Sequence, residues 1–412
     1  MNFEYFVSKR LSAKSDPKSS VSAPIIKIAT VAIALGVIVM LIAFGTGLGL
    51  QNKIRDKIAA FNGHVVIQGF SSNESKENLN PIDKNQDFYP NFKSLSSVSH
   101  IQATATKWGV IRTETDFDGV VLKGVDSLYQ WHYLKEFLVE GRLPDFGKRT
   151  SDEILISDYI AKRLDFELGD KVVMYFMRKD SENELPRPVG LEIVGLYSSG
   201  FQDFDKTFVI GDLRQIQRLN KWSEDQVGQF EVFTDDFSEI DHFSQEIYQQ
   251  IGSFLNSEPI TEMYPSIFDW LNLFDFNIVI ILWIMILVAG INMITALLVL
   301  ILERRQMIGV FKALGATNWT IRKIFLYNTF FLILKGLFYG NLIGLSILFL
   351  QKYFEIIPLD PSSYYVTSVP IEINLSYILA VNVGTVVLCM LMLVLPSLII
   401  SKITPIKALK FD

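Results

Sequence analysis

Residue types that could do covalent chemistry are present in this chain, but not at the spacings such chemistry needs. A phosphate-cradling loop requires G-x-x-x-x-G-K-[S/T]. The nearest approach, Gly141 to Gly147-Lys148-Arg149, has five intervening residues and ends in Arg. A serine nucleophile elbow requires G-x-S-x-G, and Gly195-Leu-Tyr-Ser198-Ser-Gly200 is spaced differently. The four histidines, at 64, 100, 132 and 242, lack metal-ligand spacing. Carboxylates are abundant and read as a solvated acidic surface. The sequence therefore contains no catalytic constellation and calls for no cofactor or metal, and any energy must come from a partner.

The most distinctive local pattern is Glu303-Arg-Arg-Gln-Met-Ile-Gly-Val-Phe-Lys-Ala-Leu-Gly-Ala316, followed by Ile321-Arg-Lys-Ile-Phe325. It predicts a basic amphipathic helix ending near Gly315. Ile308, Phe311 and Leu314 fall on one face, with Arg304, Arg305 and Lys312 spread around it. On physics alone it is either a docking helix or an ordinary basic loop lying on lipid head groups.

What must position this helix is a set of membrane spans. Half of the 412 residues are hydrophobic, 31 are Phe, and the mean hydropathy is +0.29. About 20 apolar residues cross roughly 30 Å of hydrocarbon. Residues 28–50, 276–302 and 375–400 are free of charge, and 324–350 is interrupted only by Lys335. The first stretch is longer than a cleavable signal core of about 7–15 residues and is expected to remain as an anchor.

The net charge of −6 conceals an asymmetry. Residues 51–275 carry 23 Lys and Arg against 37 Asp and Glu, while the rest carries 15 against 7. This argues against nucleic acid as a partner of the large domain. The N-tail 1–27, the segment 303–323 and the C-tail 401–412 are basic, whereas loop 351–374 is acidic. The positive-inside rule then places both termini and 303–323 in the cytoplasm, and 51–275 and 351–374 outside. The lone Cys389 excludes an intrachain disulfide.

Residues 51–275 alternate with period two at 64–68, 119–123, 153–156, 171–176, 191–194, 207–210 and 230–233. Helical patterns occur at 157–164, 213–219 and 237–251, the last with Ser238 as expected N-cap. The expected fold class is four transmembrane helices plus an α+β extracytoplasmic domain. Between two strands lies a polar stretch, 177–188, containing Arg178, Leu185, Pro186, Arg187 and Pro188. It is either a solvated hairpin tip or an arm that grips a partner protein.

Two features lie inside the spans. Gly336, Gly340 and Gly344 share one helix face, which permits close helix approach within the chain or between subunits. Lys335 is costly at depth. It is either functional, or a lysine that snorkels or pairs with Asn292, Asn341 or Asn382.

The 303–316 pattern resembles the coupling segment of the FtsX/MacB-type permeases, where E-R-x-x-x-I-G-x-x-K-A-L-G-A docks onto an ATPase. The resemblance implies an ATPase-coupling role for Glu303, Arg304, Arg305, Ile308, Gly309, Phe311, Lys312, Leu314 and Gly315. Leu138-Val-Glu-Gly-Arg142, Ala161-Lys-Arg-Leu-x4-Gly169-Asp170-Lys171-Val172 and Pro405-Ile-Lys-Ala-Leu-Lys410 are similar to further signatures of that superfamily, whose outside domain is MacB-like. Chain length, the long domain after span 1 and Ala32-Ile-Ala-Leu-Gly36 resemble the lipoprotein-releasing LolC/LolE permeases. Segment 177–188 falls where that family carries a chaperone-recruiting hook, but here it lacks an aromatic residue. Span 1 ends in Ala43-Phe-Gly-Thr-Gly-Leu-Gly49 instead of the family's S-V-M-N-G-F.

The likeness implies a bacterial inner-membrane permease with a separate ABC ATPase (LolD-like) and a second permease copy, identical or paralogous. It further implies a lipoprotein substrate, lipid contact and a periplasmic chaperone (LolA-like). MacB-like export of peptides or drugs and FtsX-like control of wall hydrolases are the alternatives.

Overall fold

The computed structural model describes residues 4–8, 22–70, 80–93, 95, 97–147, 149–177, 186–237 and 239–402. The helices that build the argument are, in chain order, α1 (Ser22–Asn62), α2 (Asp158–Leu164), α3 (Leu213–Asn220), α4 (Ile240–Gln250), α5 (Pro265–Glu303), α6 (Arg305–Ala313), α7 (Asn318–Phe354) and α8 (Leu375–Ser397). Those labelled α1, α5, α7 and α8 are long and apolar enough to cross a membrane. The chain divides into two units, residues 1–51, 270–358 and 368–412 in one, and 52–269 with 359–367 in the other.

The stretch from Ile28 carries no proline through Asn62 and its glycines lie within an apolar run, so α1 runs unbroken for 41 residues from Ser22. It ends at Gly63, whose positive φ of 68° returns its N–H to the Ala59 carbonyl at 2.7 Å. At α5, Pro265 occupies the first helical position, where its missing N–H costs nothing. In the spanning unit the glycines of α7 lie against α1. A methyl on Gly336 would stand 2.7 Å from Ile33 Cγ2, and one on Gly340 would stand 2.8 Å from Val37 Cβ. One on Gly344 would meet Leu41 at 3.1 Å. Only hydrogen fits at the first two positions, so this face joins two helices of the same chain.

Asn341 on α7 and Asn382 on α8 exchange amide hydrogen bonds of 2.6 and 3.0 Å. Each also donates to a carbonyl of its own helix, Leu337 and Ile378, at 2.7 Å. In hydrocarbon, such saturated polar pairs hold helix register.

The outside unit is α+β. Its strands are β1 (Val65–Gly69), β2 (Ile82–Asp83), β3 (Val98–Arg112), β4 (Phe117–Val125), β5 (Leu138–Gly141), β6 (Glu153–Ser157), β7 (Lys171–Phe176), β8 (Arg187–Tyr197), β9 (Phe208–Asp212), β10 (Gln226–Val227), β11 (Gln229–Thr234) and β12 (Leu255–Pro259). Ten form one mixed sheet, ordered β12-β1-β11-β3-β4-β9-β6-β8-β5, with β7 bridging β3 and β8. The core includes Val65, Ile67, Ile101, Leu122, Ile156, Ile193 and Phe230, with Ile216 of α3 and Phe243 of α4 packed on it.

The expected helix at 237–251 is shorter, because Glu239 occupies the cap position; Ser238 lies outside the described residues. The long strand β3 carried no sequence expectation. Gln102 and Thr104 point from it into a fully buried polar cluster, so its pattern does not read as apolar alternation.

That cluster holds the end of α1. Glu231 on β11 accepts from Lys123 Nζ at 2.6 Å, Gln102 Nε2 at 2.9 Å and Thr104 Oγ1 at 3.0 Å. Lys123 also donates to the Phe61 carbonyl, and Tyr129 Oη donates to that of Ala60 at 3.2 Å. Two of the last carbonyls of α1, orphaned within any helix, are thus satisfied by Lys123 of β4 and by Tyr129 just beyond it. Burial lowers the Lys123 pKa, and Glu231 pulls it back up. Residues 359–367 join the same unit through Lys57, which donates to the carbonyls of Ser199 and Tyr365.

Candidate functional site

Local signals alone shape the segment after α5. Arg304 leaves helical geometry (φ −94°, ψ 18°) and separates α5 from α6. At the other end Gly315 adopts φ 92°, its N–H bonds to the Lys312 carbonyl at 3.1 Å, and the Ala316 N–H bonds to the Phe311 carbonyl at 2.9 Å. This paired closure is the Schellman motif, and it needs glycine at the left-handed position. Thr317 then caps α7 by accepting from the Thr320 N–H at 3.2 Å. The Leu-Gly-Ala-Thr run is a helix stop followed by a helix start.

The segment divides into two faces. Ile308 and Gly309 are buried, and Met307 and Phe311 pack with the cluster containing Ile301, Ile321, Phe325 and Ile400. Lys312 turns inward as well: its ammonium donates to the Ile400 carbonyl, beyond the end of α8, at 2.8 Å. Burial, then the nearby Arg322, lowers its pKa. The outward face holds Glu303, Arg305, Gln306, Val310 and Leu314, with Trp319 from α7. Leu314, expected beside Ile308 and Phe311, is 79% exposed instead, because the helix has already closed and the chain is turning at the cap. Apolar side chains flanked by charges suit insertion into a cleft on a partner.

On the outside unit the sequence signatures build the root of a hairpin. Gly141 has φ 82°, and a side chain there would run into the Val194 carbonyl. The next residue, Arg142, forks both guanidinium nitrogens onto Glu153. Asp165 closes α2 in the left-handed region, and Gly169, at φ 92°, donates to Ile193 at 2.8 Å. The turn delivers the chain into β7, which pairs antiparallel with β8 from Lys171↔Glu192 to Phe176↔Arg187.

Arg187 and Pro188 therefore belong to the ladder, opposite Phe176 and Tyr175, and not to the projecting tip. Pro186 precedes the strand and is exposed; Arg178 and Leu185 lie outside the described residues. Aromatic residues stand on the neighbouring strands. Val110 of β3 pairs with Tyr175, and Trp108, two residues before Val110 on the same face, is 37% exposed over Gly119. With Val173, Met177 and Pro188 they make an apolar platform at the hairpin root.

Lys335 is exposed on α7, and two of the three amides considered as its partners, Asn341 and Asn382, are taken up by each other. Among the described residues no group of three or more His, Cys, Asp or Glu is placed to hold a metal ion.

Four long apolar helices, an α+β domain and a short basic helix between the second and third spans are the parts of a membrane permease. The MacB-like periplasmic core domain profile matches residues 28–250 and the FtsX-like permease C-terminal profile matches 279–405. The chain belongs to the MacB-like periplasmic core domain family, joined to an FtsX-like permease half, and is an inner-membrane ABC transporter permease. Among its relatives, the lipoprotein-releasing system transmembrane protein LolE of Haemophilus influenzae is 21% identical over 99% of both chains. LolC of Neisseria meningitidis is 21% identical over 92% of both, and LolC of Xylella fastidiosa is 18% identical over 92% of both. The periplasmic region of MacB from Actinobacillus actinomycetemcomitans covers 51% of this chain and 95% of its own, at 11% identity and a TM-score of 0.34.

Proposed function

We propose that this permease extracts lipoproteins from the outer leaflet of the inner membrane and hands them to a periplasmic chaperone, driven by a separate ATPase subunit. The observation that carries this reading is end-to-end likeness to relatives named as lipoprotein-releasing proteins, 99% of both chains for LolE. The platform at the root of β7 and β8 supports it, because an apolar, partly aromatic surface suits a carrier of lipids. Both termini and 303–323 face the cytoplasm, with spans at 28–50, 276–302, 324–350 and 375–400. The acidic block 51–275 and loop 351–374 face the periplasm.

Two such permeases, identical or paralogous, each receive an ATPase on the outward face of α6. Acyl chains enter between the first two spans, whose apolar faces favour them by about 0.8 kcal/mol per buried CH₂. Closure at the cytoplasmic end then drives the lipid towards the outside domain.

A pull-down from native membranes, with bound proteins identified by mass spectrometry, tests the proposal. Acylated lipoproteins together with a small ATPase are expected. Recovery of an outer-membrane efflux channel or of a cell-wall hydrolase would overturn the lipoprotein reading and leave the fold untouched.

A further inference from the structure

Lys335 is the one charged residue within the apolar stretches of the four spans, and its depth can be counted from the polar residues that end those stretches. The outer limit of the hydrocarbon is marked on α1 by Gln51, which donates to Leu271 O at 3.1 Å and Asp275 Oδ1 at 2.8 Å on α5. On α7 it is marked by the change from Phe349 and Leu350, exposed and apolar, to Gln351 and Lys352. Counting inward from Leu350, Lys335 lies about 22 Å lower at the helical rise. Helical side chains lean towards the N-terminus, and an extended lysine adds about 6 Å. The ammonium therefore stands about 28 Å from the outer limit, close to the full thickness of about 30 Å.

An independent marker agrees. The helical turn at residues 4–8 lies along the next turns of α7 towards its N-terminus. The Tyr5 ring is 5.9 Å from Phe331 and 6.4 Å from Tyr327, and Glu4 Oε1 is 3.8 Å from Lys323 Nζ. A girdle of tyrosines beside charges marks a membrane–water interface. Phe331 is one turn below Lys335, so the inner limit of the hydrocarbon falls within the 324–350 stretch, beside Tyr327 and Phe331, and the lysine stands nearer that edge than the centre. Leu334, Phe338, Tyr339 and Leu342 around it are exposed and apolar, a surface that acyl chains would cover.

We infer that Lys335 binds the phosphate of an anionic phospholipid of the inner leaflet, with its stem along the acyl chains and its ammonium among the head groups. The leaflet rests on the orientation proposed above; the binding chemistry does not.

The test reconstitutes the whole permease in vesicles of equal parts phosphatidylcholine and phosphatidylglycerol, extracts it mildly, and counts bound lipids by head group. Lys335→Leu, which favours insertion, should lose phosphatidylglycerol enrichment by about fivefold, the effect of roughly 1 kcal/mol per near-surface cation. Lys335→Arg should keep it. Unchanged enrichment in Lys335→Leu overturns the inference, as does a photoreactive side chain at 335 that crosslinks to a second copy of the chain instead of to lipid. Separately, an impermeant maleimide on Gln306→Cys, in a Cys389→Ser background, reports sidedness. Labelling from outside would sink the orientation while the lipid count still decides the binding.

Discussion

Lys312 of α6 is hydrogen-bonded to the carbonyl oxygen of Ile400, 88 residues away, at 2.8 Å. A cation that looks in sequence like part of a docking surface instead ties α6 to the end of the fourth span. The side chains exposed on α6 and beside it include Arg305, Val310, Leu314 and Trp319.

The two faces should therefore respond differently to mutation. Leu314→Asp is expected to reduce co-purification of the ATPase at least about tenfold, the scale of an apolar anchor lost from an interface, without changing thermal stability. Lys312→Met should lower stability by about 1 kcal/mol, the worth of one hydrogen bond, with ATPase still bound. Loss of ATPase in Lys312→Met at unchanged stability would show that the lysine contacts the partner directly.

The hairpin platform makes a second prediction. Trp108→Ser removes its aromatic floor without touching the 177–188 stretch, and should slow transfer of lipoprotein to a soluble acceptor at least several-fold while basal ATP hydrolysis is kept. Deleting 180–187 should do the same. If transfer is normal in Trp108→Ser and lost in the deletion, the tip alone grips the partner.

The buried cluster at the end of α1 can be tested by a mutant cycle. Lys123→Met leaves Glu231 charged and buried, and should cost about 3–5 kcal/mol. Adding Glu231→Leu should recover much of that loss. Thermal unfolding of the full chain in detergent reads both, and a double variant no better than the single would show that the pair does not act as a unit.

The outside domain should weaken in mild acid. Burial pushes the His64 pKa down to about 4, and Asp235 opposes the shift. Its Nδ1 accepts from the Thr234 N–H at 3.0 Å, which requires an unprotonated nitrogen. Below pH 6.5 the unfolded chain takes up a proton that native His64 refuses until about pH 4. This contribution is therefore complete above pH 6.5 and is lost through that window, the loss reaching roughly 3 kcal/mol at its lower end. His64→Gln, which can still accept from Thr234, should flatten the dependence of melting temperature on pH; parallel curves for the two proteins would refute the assignment.

Local patterns made part of this protein legible in advance. Three charge-free runs and a fourth interrupted only by Lys335 marked four apolar helices, because hydrocarbon demands about 20 apolar residues whatever the neighbours do. Alternation located β6 and β7, and Gly315 announced the end of α6, since only glycine takes φ 92° there without strain. The Arg304 and Arg305 pair and the acidic central block were equally plain in the sequence.

Tertiary structure decided what depends on partners far along the chain. Strand β3 escaped notice because Gln102 and Thr104 look solvent-facing until Glu231, more than a hundred residues on, turns their polarity inward. Trp108 joins the same sheet as β7 only through the β3–β7 pairing. The inward turn of Lys312 and the depth of Lys335 likewise follow from where other helices end. Periodicity records which face of an element is apolar, but not which distant group will satisfy a polar side chain; that is settled only when buried donors and acceptors find one another in the folded chain.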